Sequence, residues 1–187
     1  MNYQEIITDY IQNHLPIVAA EERFFRDELN SFEEALLFAG LAIGSKGRRL
    51  MHANRFQYHA LGQALEAMTL ERERIKSQTT FHDILHTISN VLLSARIRNL
   101  SEMYWYDTSL RIASHLKNRE PEHIYLHAGA RKGASALGIK IVEDNGDWRK
   151  YIDVPELREL SEIDSSLKPR DYEHILCINK NKFPISQ

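Results

Sequence analysis

The 187-residue chain holds one cysteine, five prolines and eight glycines, and each shortage closes off a class of protein. With Cys177 alone no internal disulfide can form, which excludes a disulfide-stapled secreted scaffold and fits a reducing compartment. Within the apolar run 174–178 this cysteine reads as a small buried hydrophobe, with a reactive thiol as the alternative. The scarcity of glycine and proline excludes collagen-like and low-complexity chains. No apolar stretch approaches the ~20 residues a bilayer span requires, the longest lying around Ala35 to Ile43, so no membrane partner is expected. The opening MNYQEIITDY has neither the basic nor the apolar region of a signal peptide, which sets the expectation of a cytoplasmic location. Repeats at periods of 20 to 50 residues are absent too.

What is present is helical periodicity. A 43% apolar content is enough for one well-buried core, so a single helical domain over residues 1–187 is expected. The fold class is all-α, a multi-helix bundle over residues 3–137, with an irregular C-terminal segment from 139 to 187 that has room for a short strand pair. Ile6, Ile7, Tyr10, Ile11 and Leu15 mark a first helix that Pro16 should end, and a second follows from Ile17 to Leu29. Ser31 and Glu34 form an S-x-x-E box opening a third, apolar enough to be the central helix. Beyond the loop Gly44-Ser45-Lys46-Gly47, a long helix is expected from Arg48 to Ile75. Thr80 caps a helix through Arg96 whose apolar residues recur at the 3.6 period, and Ser101 caps another to Lys117. Pro121 marks a short helix that Gly129 should stop. The rest shows a turn at Asn145-Gly146, a short helix at Pro155 to Leu160, and the run 174–178 as strand or helix.

The formal charge of −2 hides a segregation. Residues 1–45 carry two basic and eight acidic side chains, 46–140 fifteen and eight, and 141–187 seven and ten. A cationic middle implies either an anionic partner or acidic segments of the same chain folded against it. Four constellations fall within it. The loop and expected helix start from Gly44 to Arg55 combine two glycines with Lys46, Arg48, Arg49, His52 and Arg55, which suits a phosphate, although the spacing is not that of a P-loop. The segment His127 to Gly138 interleaves glycine and alanine so that one helix face is nearly bare backbone. It fits close helix packing, or the approach of a phosphate backbone helped by His127, Arg131 and Lys132.

On the Ser101 helix, Asp107, Arg111 and His115 share a line with Tyr104 and Thr108, opposite two apolar stripes. Its plain reading is an exposed i,i+4 ion pair. Its catalytic reading makes Asp107 a general base or water-positioning carboxylate, Arg111 its orienting partner and His115 a proton partner. Two histidine pairs, His82/His86 and His123/His127, have the i,i+4 spacing that lets one helix present two ligands, but no further ligand accompanies either, so no metal and no cofactor are expected.

The order of helix Thr80 to Arg96, polar turn Arg98-Asn99-Leu100-Ser101, second helix with an early aspartate and small basic helix resembles the helix-hairpin-helix region of DNA base-excision glycosylases and related DNA-binding proteins, over residues 80–138. The resemblance implies a nucleic-acid contact. In that family hairpin glycines hold a DNA phosphate, and neither they nor the catalytic residue have a counterpart here, so glycosylase chemistry is not implied.

Three functional readings follow. The first is a helical protein that contacts DNA, RNA or another phosphate-bearing ligand through its basic middle; against it stands a pI of 6.5, low for a dedicated duplex binder. The second is an enzyme acting on a small phosphorylated or nucleoside-like substrate through Asp107, Arg111 and His115. The third is a non-catalytic interaction protein forming a homo-oligomer.

Overall fold

The computed structural model describes residues 2–50, 55–117, 119–139, 141 and 151–183. His52 and the Asn145-Gly146 turn lie outside the described residues. The architecture is all-α with one short strand pair, and no helix among the described residues is long and apolar enough to cross a membrane. Contacts gather in two compact units, residues 1–18 with 121–187, and residues 19–120.

The first surprise is proline. Helix α1 (Tyr3–Asp9) passes into a π turn (Tyr10–His14) and then α2 (Leu15–Arg23), so Pro16 does not end the helix as expected. A π turn lets Leu15 N–H bond the Tyr10 carbonyl, five residues back, and this wider register relieves the clash a proline ring makes with the preceding turn. A second π turn (Phe24–Glu28) closes the helical stretch.

In the unit 19–120, α3 (Phe32–Gly40) starts where Ser31 Oγ accepts the Glu34 N–H at 3.1 Å, while Glu34 Oε2 accepts the Asn30 N–H at 2.7 Å. The long helix expected from Arg48 to Ile75 is not found. Residues 43–50 instead form a tight turn, with an Ile43–Arg49 bridge and a Gly44 N–H to Arg48 carbonyl bond. The next α-helix is α4 (Tyr58–Leu70), and the chain restarts after Glu71 as α5 (Arg72–Lys76). Then follow α6 (Phe81–Ser94), capped by Thr80, and α7 (Glu102–His115).

Helix α7, not α3, is the covered one. It packs on α3, α6 and the Phe24–Glu28 turn, whereas α3 leaves Leu37 exposed. The line expected to face solvent is therefore inside, with Tyr104, Thr108 and Arg111 all buried. Tyr104 donates its hydroxyl proton to the Gly40 carbonyl at 2.7 Å, and Ser109 Oγ satisfies itself on the Trp105 carbonyl at 2.8 Å. Polar residues can be enclosed on a helix when each finds an acceptor close by.

In the other unit, Pro121 opens no helix. The chain extends into β1 (Ile124–Tyr125), antiparallel to β2 (Tyr151–Ile152) with Ile124 opposite Ile152, and turns helical at α8 (Ala128–Ala136). Gly129 is thus within a helix rather than ending one. A 3₁₀ turn (Val154–Leu157) leads into α9 (Arg158–Ser161). The run 174–178 proves helical, inside α10 (Pro169–Asn179). Pro169 sits in the first turn, where its missing N–H costs nothing, and the Lys168 N–H bonds Asp171 at 2.8 Å. The second oxygen of Asp171 accepts the Tyr10 hydroxyl at 2.9 Å, which ties the N-terminal helical stretch to α10. Around that link lies an apolar core of Ile6, Ile7, Ile124, Leu126, Tyr172 and Ile175. Each such side chain contributes about 2 kcal/mol of burial.

Four helices close in the left-handed conformation that favours glycine. Only α8 uses glycine there, Gly138 at φ 75°, while α3, α6 and α7 end at Ala42, Arg96 and Lys117 with φ of 53°, 52° and 52°.

Helices α8 and α10 meet through Gly133. A Cβ built on it would lie 2.2 Å from the Leu176 carbonyl oxygen, a backbone atom that cannot swing aside. By contrast Gly62, inside α4, has nothing within 4 Å of its Cβ position. Gly133→Ala should therefore destabilise by about 2 kcal/mol or more, and Gly62→Ala should stabilise by up to about 1 kcal/mol. Urea midpoints of the two variants check this pair; equal midpoints would refute it.

Candidate functional site

The cationic residues of the 43–55 region divide into anchors and free ends. Arg49 donates to the Phe56 carbonyl at 2.5 Å and stacks its guanidinium 4.3 Å from the Tyr58 ring centroid. Arg55 reaches Met103 Sδ at 3.1 Å, and the Phe56 ring meets Tyr104 edge-on at 5.6 Å. These contacts seat the segment at the N-terminal end of α7. Lys46 and Arg48 stay in solvent on a turn closed by the Gly47 N–H to Gly44 carbonyl bond, with Gly47 at φ 65°. No helix starts at Arg48, so the helix-end donors expected for a phosphate there are replaced by a bridged turn.

Arg111 is brought to Asp107 and Glu21 in a structural knot, while His115 turns to the Phe25 carbonyl. Arg111 Nε donates to Glu21 Oε1 at 2.7 Å, and its other end lies 3.9 Å from Asp107. Burial works against the guanidinium, and the two carboxylates outweigh it, so its pKa is raised and it stays charged. His115 Nδ1 lies 3.1 Å from the Phe25 carbonyl, which makes that nitrogen the donor. All three groups are engaged with their own chain. The knot joins α7 to Glu21 on α2.

The residues 127–132 also divide. Arg131 donates to the Leu126 carbonyl at 2.8 Å and Lys132 is exposed. His127 is the N-cap of α8, its Nδ1 accepting the Gly129 N–H at 3.1 Å. That donor, expected to be open to a phosphate, is therefore taken. His123 does not share a helix with His127; it lies before β1, stacked on Tyr151 at 4.3 Å with Nδ1 against Asp153. His82 and His86 do share α6, with ring centroids 6.5 Å apart, but His86 Nδ1 pairs with the Asn90 side chain at 3.0 Å.

Around His127 the fold assembles a cluster that sequence reasoning missed. Its Nε2 lies 2.5 Å from Glu173 Oε1, a close contact without the alignment of a regular hydrogen bond. Glu173 and Cys177 stand one turn apart on α10, and one donor atom from each of His127, Glu173 and Cys177 falls within 4.8 Å of the other two. His127 is 7% and Glu173 5% exposed, while Cys177 keeps partial access to solvent. Burial disfavours a charged ring; the Glu173 carboxylate and Cys177 beside it raise its basicity by more. The Gly129 N–H is aimed at Nδ1, and Nε2 is the nitrogen that faces the carboxylate. The glutamate and cysteine carried one signal, their i,i+4 spacing, legible only once 174–178 is known to be helical.

Comparisons with protein-family models, curated proteins and solved structures find no match for this chain.

Replacing Arg111 by leucine leaves Glu21 and Asp107, each about a quarter exposed, without their cation. Partial hydration softens the loss, and a cost of about 2 to 3 kcal/mol is expected in denaturant unfolding. A cost below about 1 kcal/mol would show that the knot does not hold the helices.

Proposed function

We propose that the unit 19–120 contacts the phosphate backbone of a nucleic acid at the end where α7 begins. The observation that carries this reading is the Arg55–Met103 contact, which brings Arg55 and Phe56 to the first turn of α7, next to the α6–α7 turn. Residues 35–65 contain four arginines and lysines and no acid, and residues 84–106 add Arg96 and Arg98 against Glu102 alone. Two acid-poor stretches distant in sequence thus touch through Tyr104–Gly40 and Arg55–Met103, and Lys46, Arg48, Arg96 and Arg98, carried on them, are all exposed. A chain that is acidic overall can still bind a polyanion when its cations are gathered locally, because screening confines the field to about 10 Å.

The turn itself supports the reading. Arg96 and Asn99 take φ of 52° and 69°, so the hairpin adopts left-handed backbone without the glycines whose absence weakens the helix-hairpin-helix resemblance. The contacts are positioning ones, made to phosphates and carrying no sequence information. His127 and Arg131, engaged inside the other unit, are not needed for it.

Retention on immobilised duplex and single-stranded DNA and RNA tests this. With about four phosphates neutralised, affinity should fall roughly a hundredfold between about 50 and 200 mM salt. Replacing Lys46, Arg48, Arg96 and Arg98 together by alanine should abolish that dependence while leaving the far-ultraviolet circular dichroism unchanged. Equal, salt-insensitive retention of both proteins would overturn the reading, as would binding of free inorganic phosphate in place of any polymer.

A further inference from the structure

We propose that His127, Glu173 and Cys177 bind one divalent transition-metal ion of the zinc or cobalt(II) kind. Imidazole nitrogen, carboxylate oxygen and thiolate sulfur together are a borderline donor set; magnesium and calcium take oxygen alone. The three come from the N-cap of α8 and from successive turns of α10, held by the same helix contact that Gly133 permits.

Two observations point to a ligand beyond the cluster's own contacts. Glu173 is 5% exposed, yet its Oε1 makes no aligned hydrogen bond although it touches His127. A carboxylate drawn from water without full compensation is costly unless something further satisfies it. The second is space: a Cβ on Gly129 would stand 2.7 Å from Cys177 Sγ and 3.1 Å from His127 Cε1, so the absence of a side chain there lets thiol and ring approach.

Donors around a tetrahedral ion at about 2.0 to 2.3 Å stand roughly 3.3 to 3.7 Å apart. Loading therefore spreads the 2.5 Å contact of Nε2 and Oε1 by about an ångström and draws the sulfur in. The thiol proton leaves to solvent as the sulfur–metal bond forms. The ring proton moves from Nε2 to Nδ1, and the Gly129 N–H gives up its acceptor. Three protein donors leave a fourth position, on the side of the partly exposed Cys177, for water or an added ligand.

Full-length protein, reduced and stripped with chelator, is titrated with cobalt(II). One equivalent should bind with a dissociation constant below about 10 μM, giving a thiolate-to-cobalt charge-transfer band in the near ultraviolet that zinc abolishes. Cys177→Ser should lose the band and Glu173→Gln should weaken binding by about tenfold or more; His82→Ala should change neither. Because a variant could misfold, the wild type carries an independent readout: the His127 ring nitrogens and the Gly129 amide should shift together on zinc addition. The proposal is overturned if no saturable binding occurs up to about 1 mM cobalt, if the band is absent, if His82→Ala removes it, or if those resonances stay still.

Discussion

The C-terminal unit depends on the distance of closest approach between α8 and α10. A glycine at 133 lets the backbone of α8 lie against the Leu176 carbonyl, and the His127 cluster is arranged relative to that contact. One turn earlier on α8, Gly129 receives the Cys177 sulfur. His127, capping the helix, then lands opposite Glu173. A single larger residue at the crossing would move the ring, the carboxylate and the thiol apart together, because helices displace as rigid bodies when a core is overfilled. Geometry of this kind requires no special residue at the cluster itself beyond three ordinary side chains.

The other unit is organised by charge rather than by contact distance. Arg111 is almost fully enclosed, and enclosure of a guanidinium is tolerable only with carboxylates against it. Glu21 and Asp107 supply them from one helix away and from one turn away. Arg96 and Arg98, on the turn before Ser101, are left exposed.

Helix positions were largely legible in the sequence, because capping residues act within three or four positions: Ser31 and Thr80 bond the third following N–H as their spacing predicts. What escaped were features decided at longer range or by backbone registers outside the α-helix. Pro16 reads as a stop, but a π turn just before it absorbs the ring. Arg48 has helical neighbours in sequence, but the Ile43–Arg49 bridge and the Arg48 carbonyl's bond to Gly44 N–H hold residues 43–50 in a turn instead. The face of α7 carrying Asp107 and Arg111 looks exposed because its residues are polar; burial followed from partners ninety positions away, at Glu21 and Phe25, which no periodicity reports. Of the candidate site, His127 was visible and its partners were not, since Glu173 and Cys177 matter only after α8 and α10 are known to cross.

The scarcity of glycine leaves a mark at the ends of helices. Ala42, Arg96 and Lys117 occupy left-handed positions where a Cβ crowds the neighbouring carbonyl, at a cost of about 1 to 2 kcal/mol each. Selection for sheer ruggedness would have put glycine at all three, as it stands at Gly138. A glycine in place of exposed Arg96 or Lys117 would relieve that crowding without touching the core packing.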